Sequence, residues 1–101
     1  MTLYAFYCRD GEQGEELRTR FLADHLAHVE ANIERYAVAG PLKQGEATVG
    51  SLLVIKAEDE AEARVLFEAD PYFRAGVWQA IRADQFMAVA GDWVGGAAWK
   101  K

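Results

Sequence analysis

The sequence predicts an α+β fold of the ferredoxin-like, split βαβ type (βαββαβ), with an antiparallel sheet and both helices on one face. Three observations lead to this fold class. The segments follow the order strand, helix, strand, strand, helix, strand. The strand segments are apolar on both sides, whereas the helix segments have one apolar stripe. The length of 101 residues suits a single domain.

The composition argues against several classes of function. The formal net charge of −5, with no basic stripe, argues against a nucleic-acid partner. The single cysteine, Cys8, cannot form an intramolecular disulfide. The first residues lack the basic region of a signal peptide, and no run approaches the roughly 18 apolar residues of a spanning helix. We therefore expect a cytoplasmic protein without a membrane partner.

The first strand and the first helix occupy the N-terminal third of the chain. Residues 3–8 are short and aromatic-rich, which is typical of a strand. A long helix is expected from about Glu15 to Tyr36. Its apolar residues share one arc of about 80° on a helical wheel and are expected to face the core. These residues are Leu22, Leu26, Val29, Ile33 and Tyr36. His25 lies on the shoulder of this arc.

The second and third strands form a predicted hairpin. Gly40 and Pro41 interrupt the second strand, and proline within a strand belongs at a sheet edge or a bulge. A polar, glycine-containing turn over residues 43–48 leads into residues 49–56, the strongest strand pattern in the chain.

The second helix begins at Asp59, an N-cap with Glu62 at the capping-box position. Pro71 prevents this helix from continuing and leaves Asp70 at a rigid corner. A last strand is expected at about residues 80–89.

The C-terminal end differs in composition from the rest. We expect residues 1–90 to form the domain and residues 91–101 to form a glycine-rich tail containing Trp93 and Trp99. Two indoles are costly to leave in water, so at least one is expected to pack on the body or on a neighbour.

Asp70 and His25 are the candidate catalytic pair. A carboxylate beside an imidazole fixes its tautomer and makes a proton-transfer device. Two structural alternatives remain open. Asp70 could merely cap a short helix through the N–H of Tyr72 or Phe73. His25 could be a core-edge histidine that bonds a backbone carbonyl.

The residues around this pair suggest a ligand and a class of reaction. Tyr72, Phe73 and Tyr36 would form a slot for a flat or unsaturated small molecule, with Ser51 or Arg74 for a polar substituent. The sequence has no nucleophile elbow, phosphate loop or dinucleotide fingerprint. This pattern favours cofactor-free acid–base chemistry, such as an elimination, an isomerisation or a related lyase step.

A metal site and a non-catalytic role are the alternatives. His25 and His28 stand at i and i+3 next to Asp24, but the wheel separates the two rings by about 60°. No HExxH or paired-cysteine pattern is present, so no metal is expected. The same fold also supports a non-catalytic module that binds small molecules or other partners.

The strand pattern predicts self-association. Two helices cover only one face of such a sheet, yet its strands are apolar on both. A second copy of the chain is the simplest partner for the open face, so we expect a homodimer formed sheet against sheet.

Six segments, in this order, carry a resemblance to a known family: residues 3–7, 25–29, 39–42, 50–55, 68–72 and 75–78. On these segments the chain resembles the YciI-like (YCII-related) proteins of the dimeric α/β-barrel superfamily. The resemblance implies a homodimer with one pocket in each subunit. It also implies that His25 and Asp70 form a catalytic pair and that Ser51, Gly40 and Pro41 line the pocket.

The resemblance includes a dehydrochlorinase that acts on a hydroxylated, chlorinated aromatic ring. It thus implies a lyase-type step of this kind on a small aromatic compound. The chain departs from the family pattern just before His25. Family members often carry Arg-Pro there, whereas this sequence reads Phe21-Leu22-Ala23-Asp24 and has no arginine at that point.

Overall fold

A four-stranded antiparallel sheet in the order β2-β3-β1-β4 forms the frame of the molecule. The structure, a computed structural model, describes residues 1–100. The strands are β1 (Thr2–Asp10), β2 (Tyr36–Gln44), β3 (Ala47–Ala57) and β4 (Trp78–Phe86), and the helices are α1 (Gly14–Ala31), α2 (Glu60–Glu68) and α3 (Pro71–Ala75). The predicted α+β, ferredoxin-like fold class is confirmed.

Alternation along β1 sends one set of side chains into the core. Tyr4, Phe6 and Cys8 are buried against the helices. The ring of Phe6 stacks on Phe67 of α2, with centroids 4.3 Å apart. On the opposite face Tyr7 is about half exposed. The sheet therefore has one covered face and one open face.

Helix α1 ends five residues earlier than the sequence analysis predicted. The side-chain Nδ2 of Asn32 donates to the carbonyl oxygen of His28 at 2.8 Å, which satisfies a carbonyl at the helix end. A short 3₁₀ turn follows over Ile33–Arg35, and Tyr36 already begins β2.

The predicted core arc of α1 is largely wrong. Leu22 and Leu26 are each 48% exposed, and Ile33 is 59% exposed. The side chains of α1 that pack on the core are Leu17, Phe21 and Val29. The core-facing side of α1 is therefore shifted round the helix from the predicted arc, and Leu22 and Leu26 line a cavity between α1 and the sheet.

Short sequence patterns correctly predicted the positions of several other elements. Asp59 caps α2 by accepting the N–H of Glu62 at 2.8 Å, as predicted. Pro41 lies in β2, which is an edge strand as its proline requires. The last strand begins and ends a few residues before its predicted bounds.

The C-terminal segment forms a small sheet of its own. Strands β5 (Ala90–Gly91) and β6 (Gly96–Ala97) pair with each other. Trp93 is 86% exposed and Trp99 is 70% exposed, so neither indole is buried on the body of its own chain. Packing against a neighbour stays a prediction. Lys101, the last residue of the predicted tail, lies outside the described residues.

Among residues 1–100, no helix combines the length and the apolar character that crossing a membrane requires.

Candidate functional site

A cavity of about 270 Å³ opens between α1 and the strands β2 and β3. Its walls are mostly apolar, and its polar side chains come from Arg18, His25, Ser51 and Tyr72. The remaining lining residues are Leu22, Leu26, Val29, Ala39, Gly40, Pro41 and Leu53. An apolar cavity with a few convergent polar groups is the usual form of a small-molecule site.

Asp70 lies behind this cavity and is fully buried. It is the N-cap of α3, whose first residue is Pro71. Its Oδ1 accepts the backbone N–H of Tyr72 at 2.9 Å. Both of its oxygens also lie within hydrogen-bond distance of Nδ1 of His25, at 2.8 and 3.0 Å. Asp70 is therefore both the helix cap and the partner of His25, and these two interpretations do not exclude each other.

The position of His25 is fixed on two sides. Its ring stacks on the ring of Tyr72, with centroids 3.8 Å apart and planes within 2°. A carboxylate accepts hydrogen bonds, so the Asp70 contact places the ring proton on Nδ1. The other nitrogen, Nε2, has no hydrogen-bond partner among residues 1–100. His25 lines the cavity, and Nε2 is thus the nitrogen that can accept a proton there.

Arg18 is a residue of the site that the sequence analysis missed. Its Nε and Nη2 donate to the carboxylate of Asp10 at 2.7 and 2.9 Å. Nη2 also donates to the carbonyl oxygen of Gly50 at 2.9 Å and to Oγ of Ser51 at 2.8 Å. The spacing from Arg18 to His25 is i to i+7, which places both residues on one face of a helix and could have revealed Arg18.

Tyr72 connects the two halves of the site. Its hydroxyl donates to the backbone oxygen of Arg18 at 3.2 Å, and the guanidinium carbon of Arg18 lies 5.3 Å from its ring centroid. Burial raises the pKa of Tyr72 above its ordinary value, with a smaller opposing effect of the Arg18 charge. The phenol is therefore neutral at neutral pH.

Four of the predicted binding residues lie together, and one lies elsewhere. Ser51, Tyr72, Gly40 and Pro41 all line the cavity that contains His25. Arg74 is exposed on α3 and is not among the lining residues. Arg74 is close to Asp70 in sequence, but α3 turns its side chain to solvent.

The predicted aromatic slot is only partly present. Phe73 packs edge-on against Phe67, at 5.4 Å between centroids, and Tyr36 is buried in the core. Of the three predicted rings, only that of Tyr72 lines the cavity. Leu22 and Leu26 supply apolar surface instead.

The remaining histidine does not join the site. His28 is not among the lining residues, and its Nε2 is buried without a hydrogen-bond partner among residues 1–100. Within the same range, no three histidine, cysteine or acidic side chains are grouped as ligands for a metal ion.

A second, larger cavity of about 500 Å³ lies on the open face of the sheet, beside the C-terminal segment. Its lining is almost entirely apolar and includes Leu52, Val54 and Trp93; Asp92 is its one charged residue. Without a paired titratable group, this cavity is less suited to proton transfer than the one that contains His25.

Comparison with known proteins finds a matching family model and matching chains among solved structures. The family model described as the YCII-related domain matches residues 2–86. One of these structures is a 5-chloro-2-hydroxyhydroquinone dehydrochlorinase from Burkholderia phenoliruptrix AC1100, in complex with 2,5-dihydroxybenzoquinone. It is 26% identical to this chain with a TM-score of 0.76, and the alignment covers 89% of this chain and 96% of that chain. No curated protein sequence matches the chain.

Proposed function

Because the chain belongs to the YCII-related family, we propose that it is a cofactor-independent enzyme in which His25 and Asp70 perform acid–base chemistry. The proposed reaction is a lyase step of the dehydrochlorinase type, or an isomerisation, on a small unsaturated or aromatic compound. The similar solved structure supports the lyase class, because its title names a dehydrochlorinase.

One observation carries the proposal. The fully buried carboxylate of Asp70 meets Nδ1 of His25 at 2.8 Å, while His25 itself lines the cavity. A buried carboxylate is unfavourable unless it is paired. Its use here is to hold the imidazole with Nε2 unprotonated and to stabilise the imidazolium that forms when Nε2 accepts a proton.

In the proposed elimination, Nε2 of His25 takes a proton from the substrate. The electron pair of the broken bond forms the new double bond, and chloride leaves with the electrons of the carbon–chlorine bond. The products are the unsaturated compound, chloride and a proton on His25, which is then lost to water. In an isomerisation the same proton is returned at another atom, with no leaving group.

The cavity is suited to one small ring. Its volume of about 270 Å³ is just below the usual range of about 300–1,000 Å³ for ligand pockets. Leu22 and Leu26 supply apolar contact surface, and Ser51 can bond a polar substituent.

The proposal includes a homodimer formed through the open face of the sheet. This face exposes about half of Tyr7 and of Phe86. The neighbouring tail presents Trp93 to solvent, and burying such surface on a second copy would be favourable. The free thiol of Cys8 is in keeping with a cytoplasmic location.

The direct test is turnover of 5-chloro-2-hydroxyhydroquinone, measured as chloride release. His25→Gln is expected to lower the rate by about 10²–10⁴-fold, the usual contribution of a general base. His28→Gln is the matched control, because His28 is on the same helix but outside the cavity lining. Circular dichroism would check that each variant is folded.

Equal rates in the parent and in His25→Gln would contradict the proposed role of the histidine. If the parent binds the compound but releases no chloride, and no isomer forms, the alternative of a non-catalytic binding module is favoured. Binding can be followed by the ¹⁵N shift of Nε2 in His25.

A further inference from the structure

We propose that Arg18 and Ser51 form a subsite for an anionic oxygen, so that the ligands of this cavity are small monocyclic anions. Carboxylates, phenolates and enolates belong to this class. The inference rests on the proposed function in one respect, namely that the cavity with His25 is the ligand site. It adds which molecules that cavity selects and which side chains select them.

The charge of the lining favours an anion. Arg18 is the one charged residue among the lining residues, and no acidic side chain is among them. The carboxylates that bond these side chains are already engaged, that of Asp10 with Arg18 and that of Asp70 with His25. A ligand cation would find no counter-charge at the wall, whereas an anion would find a guanidinium.

Arg18 is held in place before any ligand binds. The carboxylate of Asp10 accepts hydrogen bonds from Nε and Nη2 of Arg18. Nη2 also donates to the carbonyl oxygen of Gly50 and to Oγ of Ser51. None of residues 1–100 accepts a hydrogen bond from Nη1. The fixed fork therefore leaves one nitrogen to bind a ligand, and little side-chain entropy remains to be lost.

Ser51 supplies the second donor. Its Oγ accepts a hydrogen bond from Nη2 of Arg18. Because a guanidinium nitrogen can only donate, the hydroxyl proton of Ser51 points away from Arg18. Within residues 1–100 the Ser51 hydroxyl donates no hydrogen bond, and the one side-chain contact of its Oγ is the bond that it accepts from Arg18. Ser51 is nearly buried and lines the cavity, so an oxygen of the ligand is its natural partner.

Asp10 is a positioning residue for this subsite. It stands at the end of β1, directly before the turn into α1, and that turn must pass close to its carboxylate. A Cβ added at Gly14 would lie 2.7 Å from Oδ2 of Asp10, which is too close. Glycine at the first residue of α1 thus leaves room for Asp10 to hold Arg18.

The subsite and the proposed base are close enough to contact the same ligand molecule. His25 and Arg18 approach the same Tyr72 ring, at 3.8 Å between ring centroids and at 5.3 Å from the guanidinium carbon. An oxygen held by Arg18 and Ser51 therefore orients the rest of a small ring toward Nε2 of His25. Negative charge that develops on this oxygen when a proton leaves the ring would be stabilised by the same donors.

The test compares benzoate with benzamide, which match in size and differ in charge. Titrations followed by NMR of the parent protein are expected to show benzoate binding at least tenfold more tightly. In Arg18→Met this preference is expected to disappear through loss of benzoate affinity alone. Arg20→Met, an exposed arginine on the same helix, is expected to retain it.

Two further measurements keep the test decisive. If Arg18→Met does not fold, Ser51→Ala is used, and we expect it to weaken benzoate severalfold more than benzamide. Equal affinities of the two compounds in the parent, or binding of neither, would overturn the inference. His25→Gln is expected to keep the preference for benzoate while losing turnover, so this inference and the proposed base role fail separately.

Discussion

Replacing Asp70 by asparagine should switch the tautomer of His25. Both carboxylate oxygens lie within bonding distance of Nδ1, and Oδ1 also accepts the N–H of Tyr72 at 2.9 Å. An amide has only one oxygen. If that oxygen stays on the N–H of Tyr72, the NH₂ group takes the place of Oδ2, 3.0 Å from Nδ1, where its protons oppose a proton on Nδ1 and favour an Nδ1 that accepts from them. The ring proton then moves to Nε2, which can no longer accept a proton from a substrate.

The size of the effect follows from the contacts that are lost. Asp70→Asn keeps the helix cap and replaces the charged hydrogen bond by a neutral one, so we expect a decrease in the free energy of unfolding of about 1 kcal/mol. Asp70→Ala also removes the cap, which should add about 0.5–2 kcal/mol. Turnover should fall in Asp70→Asn by about 10²–10⁴-fold, because the base is in the wrong form.

The assay is ¹⁵N NMR of the imidazole, which distinguishes the two tautomers, together with urea unfolding for stability. Asp24→Asn is the matched control: Asp24 precedes His25 on the same helix but is exposed. A neutral His25 that keeps its proton on Nδ1 in Asp70→Asn would refute the reasoning, as would full turnover in that variant.

Three other predictions use different parts of the molecule. Burial is the largest cause that raises the pKa of Cys8 from 9.0 to about 12, followed by the charges of nearby carboxylates. Between these two pH values the thiol ionises only in the unfolded chain. The free energy of unfolding should therefore be undiminished below about pH 9 and fall toward pH 12. Urea unfolding from pH 7 to 11 should show a smaller loss in Cys8→Ala than in the parent. Sedimentation equilibrium should give about twice the chain mass, and Tyr7→Glu on the open sheet face should weaken the dimer, whereas Val65→Glu on the helix side should not; a monomeric parent would contradict this. Gly50→Ala should lower the free energy of unfolding by about 2 kcal/mol or more, because the new Cβ would collide with the carbonyl oxygen of Cys8. Gly40→Ala meets no atom within 4 Å and should change it little; similar melting temperatures of the two glycine variants would rule out the steric explanation.

The sequence by itself determined the element order and several element boundaries. These depend on short-range chemistry that a linear pattern records. Asp59 accepts the N–H of Glu62 three residues away, and Pro71 cannot continue the helix before it. Asp70 followed the same local rule, since it caps α3 through the N–H of Tyr72. Its proximity to His25 was inferred from the fold class, in which both helices lie on one sheet face.

Only the tertiary structure decided which residues of α1 line the cavity and where Arg18 lies. A helical wheel assumes that the most apolar arc faces the core, yet α1 turns Leu22 and Leu26 toward the cavity. Arg18 is held by Asp10 at the end of β1, 8 residues away, and by Gly50 and Ser51 of β3, which are 32 and 33 residues away. No local pattern encodes these contacts, because they depend on how the sheet register brings the ends of two strands beside one helix.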